Sequence, residues 1–210
     1  MRLWSVQTED VYNIVMKTGY CIVDERKAEC LYDNDGKLDE SFKRSYDWLV
    51  DRMTEKIGKP ENVVLPWWAY YKSEGIRDLK LENLNYYGTP GKEYILLELE
   101  VPDEEVVLSD LDAWHFVLNN WWLDGSLSEE EWEKNNKWIE TLKPDERQKV
   151  KNESWNRIFD IEPFENDWMA KGQSVQATFW ILKKEYIKTH EKFIAISLWD
   201  KEEEEESEED

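Results

Sequence analysis

Histidine and cysteine each occur only twice in the 210 residues. Zinc hydrolases and histidine-based acid–base mechanisms draw on several such side chains, so this scarcity argues against both. Cys21 and Cys30 cannot complete a zinc site alone and read as reduced thiols. No GxSxG elbow, HExxH helix, Walker loop or CxxC pair is present, and no glycine-rich phosphate loop. No stretch approaches about 18 consecutive apolar residues, which excludes a helical membrane span. The first ten residues, MRLWSVQTED, carry no apolar signal core, so the expected setting is the cytoplasm. Positive charge is scarce as well. Lys and Arg number 27 against 48 Asp and Glu, a formal net charge of −21. Such a surface repels phosphate backbones, so direct nucleic-acid binding is not expected, whereas a basic protein partner is compatible with it.

What the chain has instead is tryptophan, 13 residues of it. A buried tryptophan removes about 150–250 Å² from water, worth on the order of 4–6 kcal/mol before entropy is counted. A few of them can dominate a core, which leaves others for a site. The length suits one domain, expected over residues 1–199. Residues 200–210 form an acidic tail expected to be disordered, and EEEEESEED at its end is acidic at eight of nine positions.

Periodicity organises the domain. Residues 2–7 alternate, with Arg2, Trp4 and Val6 on one side and Leu3, Ser5 and Gln7 on the other, as a strand does. Thr8 can cap a helix whose buried stripe is Val11, Ile14, Val15 and Thr18, and Gly19 ends it. YCIVD, residues 20–24, reads as a strand. DNDGKLDE, residues 33–40, resembles a calcium loop until its positions are counted. With Gly36 sixth, the first ligand would be Leu31 and the twelfth Phe42, neither of which coordinates calcium. It is a turn leading into a helix marked by Phe42, Tyr46, Leu49, Met53 and Ile57, and closed by Gly58 and Pro60.

VVLPWWAYY, residues 63–71, is β-branched and aromatic, and Pro66 predicts a sheet edge or a bulge. Residues 72–93 form a long loop of the kind that often carries function. YILLELEV, residues 94–101, alternates with Ile95, Leu97, Leu99 and Val101 inward; Glu98 and Glu100 read as a solvated face in preference to an acid–base pair. In SDLDAWHFVLNNWW, residues 109–122, Ser109 is the expected N-cap. Leu111, Trp114, Leu118 and Trp121 form an apolar stripe beside a polar one of Asp112, His115 and Asn119. Ser128 and Glu131 make a capping box, and Pro144 opens a further helix, so residues 128–160 read as a helical hairpin. SVQATFWIL, residues 174–182, places Gln176 and Trp180 on one face of a strand. KFIAISL, residues 192–198, reads as the last strand. The fold expected is α+β: a mixed or mainly antiparallel sheet of about five to seven strands flanked by four or five helices, with the hairpin inserted.

LWSVQ, SYDWLVDRM, PWWAYY, LELEVPDEEVVLSDLDAWHFVLNN, SWNRIFD and VQATFWILKKEYI together resemble a bacterial and phage family known as domain of unknown function 3841, over most of residues 1–196. That resemblance implies no particular activity. A second one concerns the order LWSVQ, TEDVYNIVMKTG, YCIV, which is similar to the opening of ADP-ribosyltransferase-like proteins. It implies an aromatic-walled cleft for a nicotinamide nucleotide, with Gln176 at the late-strand position usually held by glutamate and Tyr70 at the middle position. Gln7 or Arg2 would stand where such enzymes use arginine or histidine. A glutamine cannot serve as a base and only orients a hydroxyl by hydrogen bonding.

Two functions follow as expectations. In one, the chain binds a small molecule or nucleotide in an aromatic cleft, with Tyr70 and Gln176 as catalytic candidates and Trp4, Gln7, His115 and Trp180 as cofactor-binding candidates. No specific cofactor and no metal is implied. In the other, it is an acidic interaction module or inhibitor, of the kind mobile elements carry, that presents carboxylates to a basic partner. Polar side chains on apolar segments favour the first, because an unpaired buried polar group costs about 1–3 kcal/mol.

Overall fold

The computed structural model describes residues 1–28, 31–32 and 35–197; Cys30 and the acidic tail lie outside the described residues. In chain order the regular elements are β1 (Arg2–Gln7), α1 (Glu9–Thr18), β2 (Tyr20–Cys21), α2 (Glu40–Ile57), β3 (Trp67–Lys72), β4 (Glu93–Glu100), β5 (Val107–Asp110) and α3 (Leu111–Leu118). There follow α4 (Glu129–Glu140), α5 (Pro144–Ser154), β6 (Phe164–Glu165), β7 (Ala170–Lys171), β8 (Val175–Phe179), β9 (Leu182–Lys183) and β10 (Ile187–Ile194). Six strands make one sheet in the order β10-β4-β1-β3-β8-β5, and every pairing in it is antiparallel. The fold is therefore α+β.

Local chemistry sets the boundaries. The Thr8 side chain accepts from Val11 N, and Gly19 closes α1 at φ 92°, a left-handed cap that glycine adopts without strain. Asp39 accepts from Ser41 N and Phe42 N at the start of α2. Ser109 is not the cap of α3. It is the third residue of β5, and Asp110 caps the helix by accepting from Ala113 N at 2.8 Å. The strand continues further than propensity suggests because Ser109 and Asp110 pair with Gln176 and Val175. Pro66 precedes β3, which is an interior strand; its bulge falls between Tyr70 and Lys72. Only Tyr20–Cys21 of the expected strand at 20–24 pairs, and it pairs with β9. The last strand starts at Ile187 and stops at Ile194, earlier than its apolar run predicts, because the whole length of β4 is there to pair with it.

One sheet face carries Leu3, Ala69, Ile95, Leu97, Leu99, Ala177 and Phe179 against Val15 of α1. The other face is covered in two parts. Over β3, β8 and β5 lie Leu49 and Met53 of α2, Trp114 and Val117 of α3, and Trp155 and Ile158. Over β1, β4 and β10, the connection after β3 brings Leu79 and Leu84 onto Trp4, Leu96 and Phe193. Each fully buried Leu, Val, Ile or Met contributes about 1.5–3 kcal/mol.

The helical excursion is inserted between two strands that are neighbours. The chain leaves the sheet at Asp110 and returns at Val175, its register partner. Asp110 ties both ends together, since its carboxylate also accepts from Gly172 N. The α4–α5 hairpin thus hangs outside the sheet, while α3 is held on it.

Candidate functional site

The two covers on the second sheet face do not meet. Between them lies a cleft of about 420 Å³, lined by Val6, Gln7, Trp68, Ala69, Tyr70 and Gln176 from the sheet, Tyr46, Leu111, Trp114, His115 and Leu118 from the helices, and Tyr87, Gly88 and Tyr94 from the loop side. That size falls in the range of small-molecule sites.

Strand alternation builds the floor. Trp68, Tyr70 and Gln176 have the parity that points away from the Ala69 and Ala177 face. Tyr70 is the register partner of Trp4 on β1 and of Gln176 on β8, and Gln176 is in turn the partner of Ser109 on β5. A single row across the sheet therefore reads indole, phenol, carboxamide, hydroxyl. Gln7, at the end of β1, is held by a short relay: its Nε2 donates to Ser5 Oγ at 2.8 Å, which donates to Trp68 O at 2.7 Å.

Two aromatic walls rise from this floor. On the helical side Trp68, Tyr46 and Trp114 form a three-ring cluster. The Tyr46 ring meets Trp114 edge-on at 5.6 Å and Trp68 edge-on at 6.0 Å, and Trp68 tilts against Trp114 at 5.3 Å. On the loop side the Tyr70 ring tilts against Tyr87 at 4.5 Å, and Tyr87 against Tyr86 at 4.5 Å. Burial, and then the neighbouring Tyr87 hydroxyl, push the Tyr70 phenol well above its ordinary range. Burial raises Tyr87 too, followed by its hydrogen bond with Tyr86. Both shifts favour the neutral phenols, which suit hydrogen bonding better than base chemistry.

Two polar atoms in this setting have no partner. Trp68 Nε1 and Gln176 Nε2 are buried N–H donors without an acceptor among the described residues. Gln176 is 5% exposed. Ser109 Oγ, beside Gln176, is also buried and unpaired. Buried donors are nearly always satisfied, so three on adjoining strands are an anomaly that calls for an acceptor.

Four of the residues singled out from sequence line this one cleft: Gln7, Tyr70, His115 and Gln176. His115 sits at the mouth, exposed on α3. The polar stripe around it faces solvent, and Asn119 caps its own helix by donating Nδ2 to His115 O. Trp4 and Trp180 do not line the cleft. Trp4 is buried under the loop cover with the Arg2 and Arg77 guanidiniums against its ring. Trp180 lies in the helical core and donates Nε1 to Gly58 O. The sequence places Trp114 and Tyr46 on apolar helix stripes, and Tyr87 in the long loop 72–93, without singling out any of them or Trp68 as a site residue. Trp68 shares parity with Tyr70 and was detectable on that ground. Tyr87 lies in an irregular loop with no periodic signal.

Other reactive groups are spent elsewhere. Glu98 is paired with Arg2 and Glu100 with Lys188, so both carboxylates are held in ion pairs away from the cleft lining; Glu98 lies beyond the loop cover on the face of Trp4 and Leu96, not on an open outer face. Burial raises the Cys21 thiol, the opposite of an activated nucleophile. Among the described residues no group of three or more His, Cys, Asp or Glu is placed to hold a metal, and no helix is long and apolar enough to cross a membrane.

Comparison with known proteins gives a family without an activity. No curated protein and no solved structure matches the chain. One family pattern covers residues 2–188, from the first residue of β1 into β10 and so across every lining residue of the cleft, and by that match the chain belongs to the family described as domain of unknown function 3841.

Proposed function

We propose that the protein binds a small planar molecule, of the nucleotide or related heterocyclic class, in the cleft between the two aromatic walls. The observation that carries this reading is the pair of buried, unpaired donors, Trp68 Nε1 and Gln176 Nε2, on two residues that line the aromatic cleft. Leaving such donors empty costs about 1–3 kcal/mol each. A ligand that brings acceptors to them recovers that cost and adds ring stacking.

Binding is better supported than transfer chemistry of the ADP-ribosyltransferase kind. Gln176 and Tyr70 are cross-strand partners. Among the described residues no carboxylate lines the cleft, however, and burial shifts the Tyr70 phenol upward, away from use as a base. The test is a melting-temperature screen of the full chain with planar heterocycles, nucleosides and nucleotides. A ligand at 100 times its Kd adds roughly 2.7 kcal/mol, or about 5–10 °C for a chain of this size. The reading fails if no compound of these classes raises the melting temperature.

One observation favours a second reading, docking of a basic protein segment. On α4 and the β6–β7 hairpin, Trp132 and Trp168 are 45% and 41% exposed, with ring centroids 6.1 Å apart. Glu129, Glu130 and Glu133 share the exposed side of α4. Exposed indoles beside carboxylates suit Lys- or Arg-rich chains through cation–π and ionic contacts. Binding of a polylysine or polyarginine peptide that weakens with salt and is lost on Trp132→Ala would support it; equal binding by that variant would remove it.

A further inference from the structure

Resting on the cleft reading above, we infer that the occupant is an uncharged heteroaromatic ring whose acceptor-bearing edge faces β3 and β8, and that the cleft discriminates against its phosphorylated forms. The chemical class is a free base, a nucleoside or a pyridine carboxamide. Three independent features agree. The unpaired groups on the floor are neutral N–H donors, Trp68 Nε1 and Gln176 Nε2, with the Ser109 hydroxyl beside them. They match ring nitrogens and carbonyl oxygens, and they carry no charge with which to neutralise an anion.

Next, among the described residues the lining contains no Lys, Arg, Asp or Glu; its titratable groups are tyrosines and His115. An anion taken into an aromatic cleft without a cationic partner loses its hydration and gains nothing comparable. Phosphate-binding sites supply free backbone N–H groups at a helix start or fixed cations. Here α3 does begin at Leu111 in the lining, but Leu111 N and Ala113 N already donate to Ser174 O and the Asp110 carboxylate, and among the described residues no Lys or Arg lines the cleft. Finally, a net charge of −21 sets a repulsive field for any anion that approaches the mouth. The rings on both sides provide flat apolar surfaces that tolerate any base or pyridine.

Gln176 is the group that reads the ring edge. Its Nε2 is the donor, and its neighbour in register on each side, Tyr70 and Ser109, adds only hydroxyl groups. Exchange for glutamate keeps the shape and removes the donor. In this buried aromatic setting the glutamate carboxyl titrates above its ordinary range, and its protonated form donates again. Binding by Gln176→Glu therefore recovers as pH falls, and it does so over a range in which the variant's melting temperature and the wild-type affinity, with the same His115 in the lining, stay constant, which a purely structural role would not give.

The experiment titrates the full chain, by tryptophan fluorescence and calorimetry, with matched probes: adenine, guanine, cytosine and nicotinamide, their nucleosides, and the corresponding 5′-mono- and triphosphates. The expected result is that neutral members bind and that adding a phosphate weakens binding by at least about tenfold, with added salt narrowing the gap. Trp68→Phe, which keeps an aromatic ring but loses the indole N–H together with part of the ring system, should weaken neutral probes by at least about fivefold while circular dichroism stays unchanged. Phosphorylated probes that bind as tightly as neutral ones, or tighter, would overturn the ligand class and leave the cleft reading standing. If neither neutral nor phosphorylated probes bind, both fall.

Discussion

Tyr70 and Gln176 are cross-strand partners on β3 and β8, yet their environments differ in kind. The tyrosine leans on Tyr87 with its ring at 4.5 Å, while the glutamine amide beside it has no acceptor. Directly opposed residues of an antiparallel pair keep their Cβ atoms about 5 Å apart. A satisfied group and an unsatisfied one are thus fixed next to each other by a rigid backbone ladder. Neither can move away without breaking the sheet, so the free amide is a standing feature of the cleft floor.

The first prediction follows from that amide. Gln176→Leu retains most of the side-chain volume and removes the unpaired donor. Stability should rise by about 1–2 kcal/mol, and the melting temperature by about 2–8 °C. Binding of the planar ligand should be lost in the same variant. A gain in stability with loss of binding is the expected pattern for a group retained for function. Thermal melts and ligand titration of this one variant check both halves; a loss of stability would show that the amide is structurally satisfied.

Trp155 carries the second. It is fully buried, donates Nε1 to Trp121 O at 2.8 Å, and meets Trp48 edge-on at 5.6 Å. It joins Trp121, three residues beyond the end of α3, to the core beneath α2. Trp155→Ala should cost about 3–5 kcal/mol. Trp155→Phe should cost less, since it keeps much of the packing and loses the hydrogen bond. Denaturant unfolding measures both, and the phenylalanine variant keeps the comparison open if the alanine variant does not fold.

The sheet and its covers were legible in the sequence to different degrees. Leu3, Ile95, Leu97, Ala177 and Phe179 declare one buried face by alternation, because a half-buried strand repeats every second residue. The α1 and α2 caps are equally plain, at Thr8 with Gly19 and at Gly58. The short strand Val107–Asp110 was not legible. Its acidic end reads as a helix start, and only its partner Val175–Phe179, some 65 residues on, makes it a strand. The convergence of Gln7, Tyr70, His115 and Gln176 rests on the same long-range pairing. Trp4 and Trp180 shared their composition but not their place, since aromaticity alone does not tell a wall from a core.

Acid should reveal the third. Hydrogen bonds from the Ser41 side chain and from the backbone of Phe42 and Ser41 hold the Asp39 carboxyl below its ordinary range. A depressed folded value means that the ionised cap stabilises the fold above the unfolded carboxylate range. That contribution fades as pH falls through the folded value. Asp39→Ala should therefore lower the melting temperature at neutral pH, with the deficit shrinking on acidification. Asp39→Asn, which caps nearly as well, should show a much smaller deficit at neutral pH. Melts of the three proteins across the acid range decide it; a pH-independent deficit would mean that ionisation of Asp39 is irrelevant to the cap.

The loop wall of the cleft depends on one glycine. Gly88 has φ 128°, and a Cβ there would lie 2.5 Å from Cε2 of Tyr94. Tyr94 belongs to β4 and holds the loop by accepting from Thr89 N at 3.0 Å. Its ring therefore cannot yield without releasing that bond. In Gly88→Ala the loop must shift instead, carrying Tyr87 away from Tyr70 and opening one wall. Most of the core is untouched, because Leu79 and Leu84 anchor the loop farther back. The expected outcome is a modest stability loss of about 1–2 kcal/mol together with a larger, roughly tenfold or greater loss of ligand affinity. Ligand titration beside thermal melts separates the two effects. Affinity unchanged in the face of the stability loss would place the ligand against the Trp68–Trp114 wall alone, with Tyr87 no part of its site.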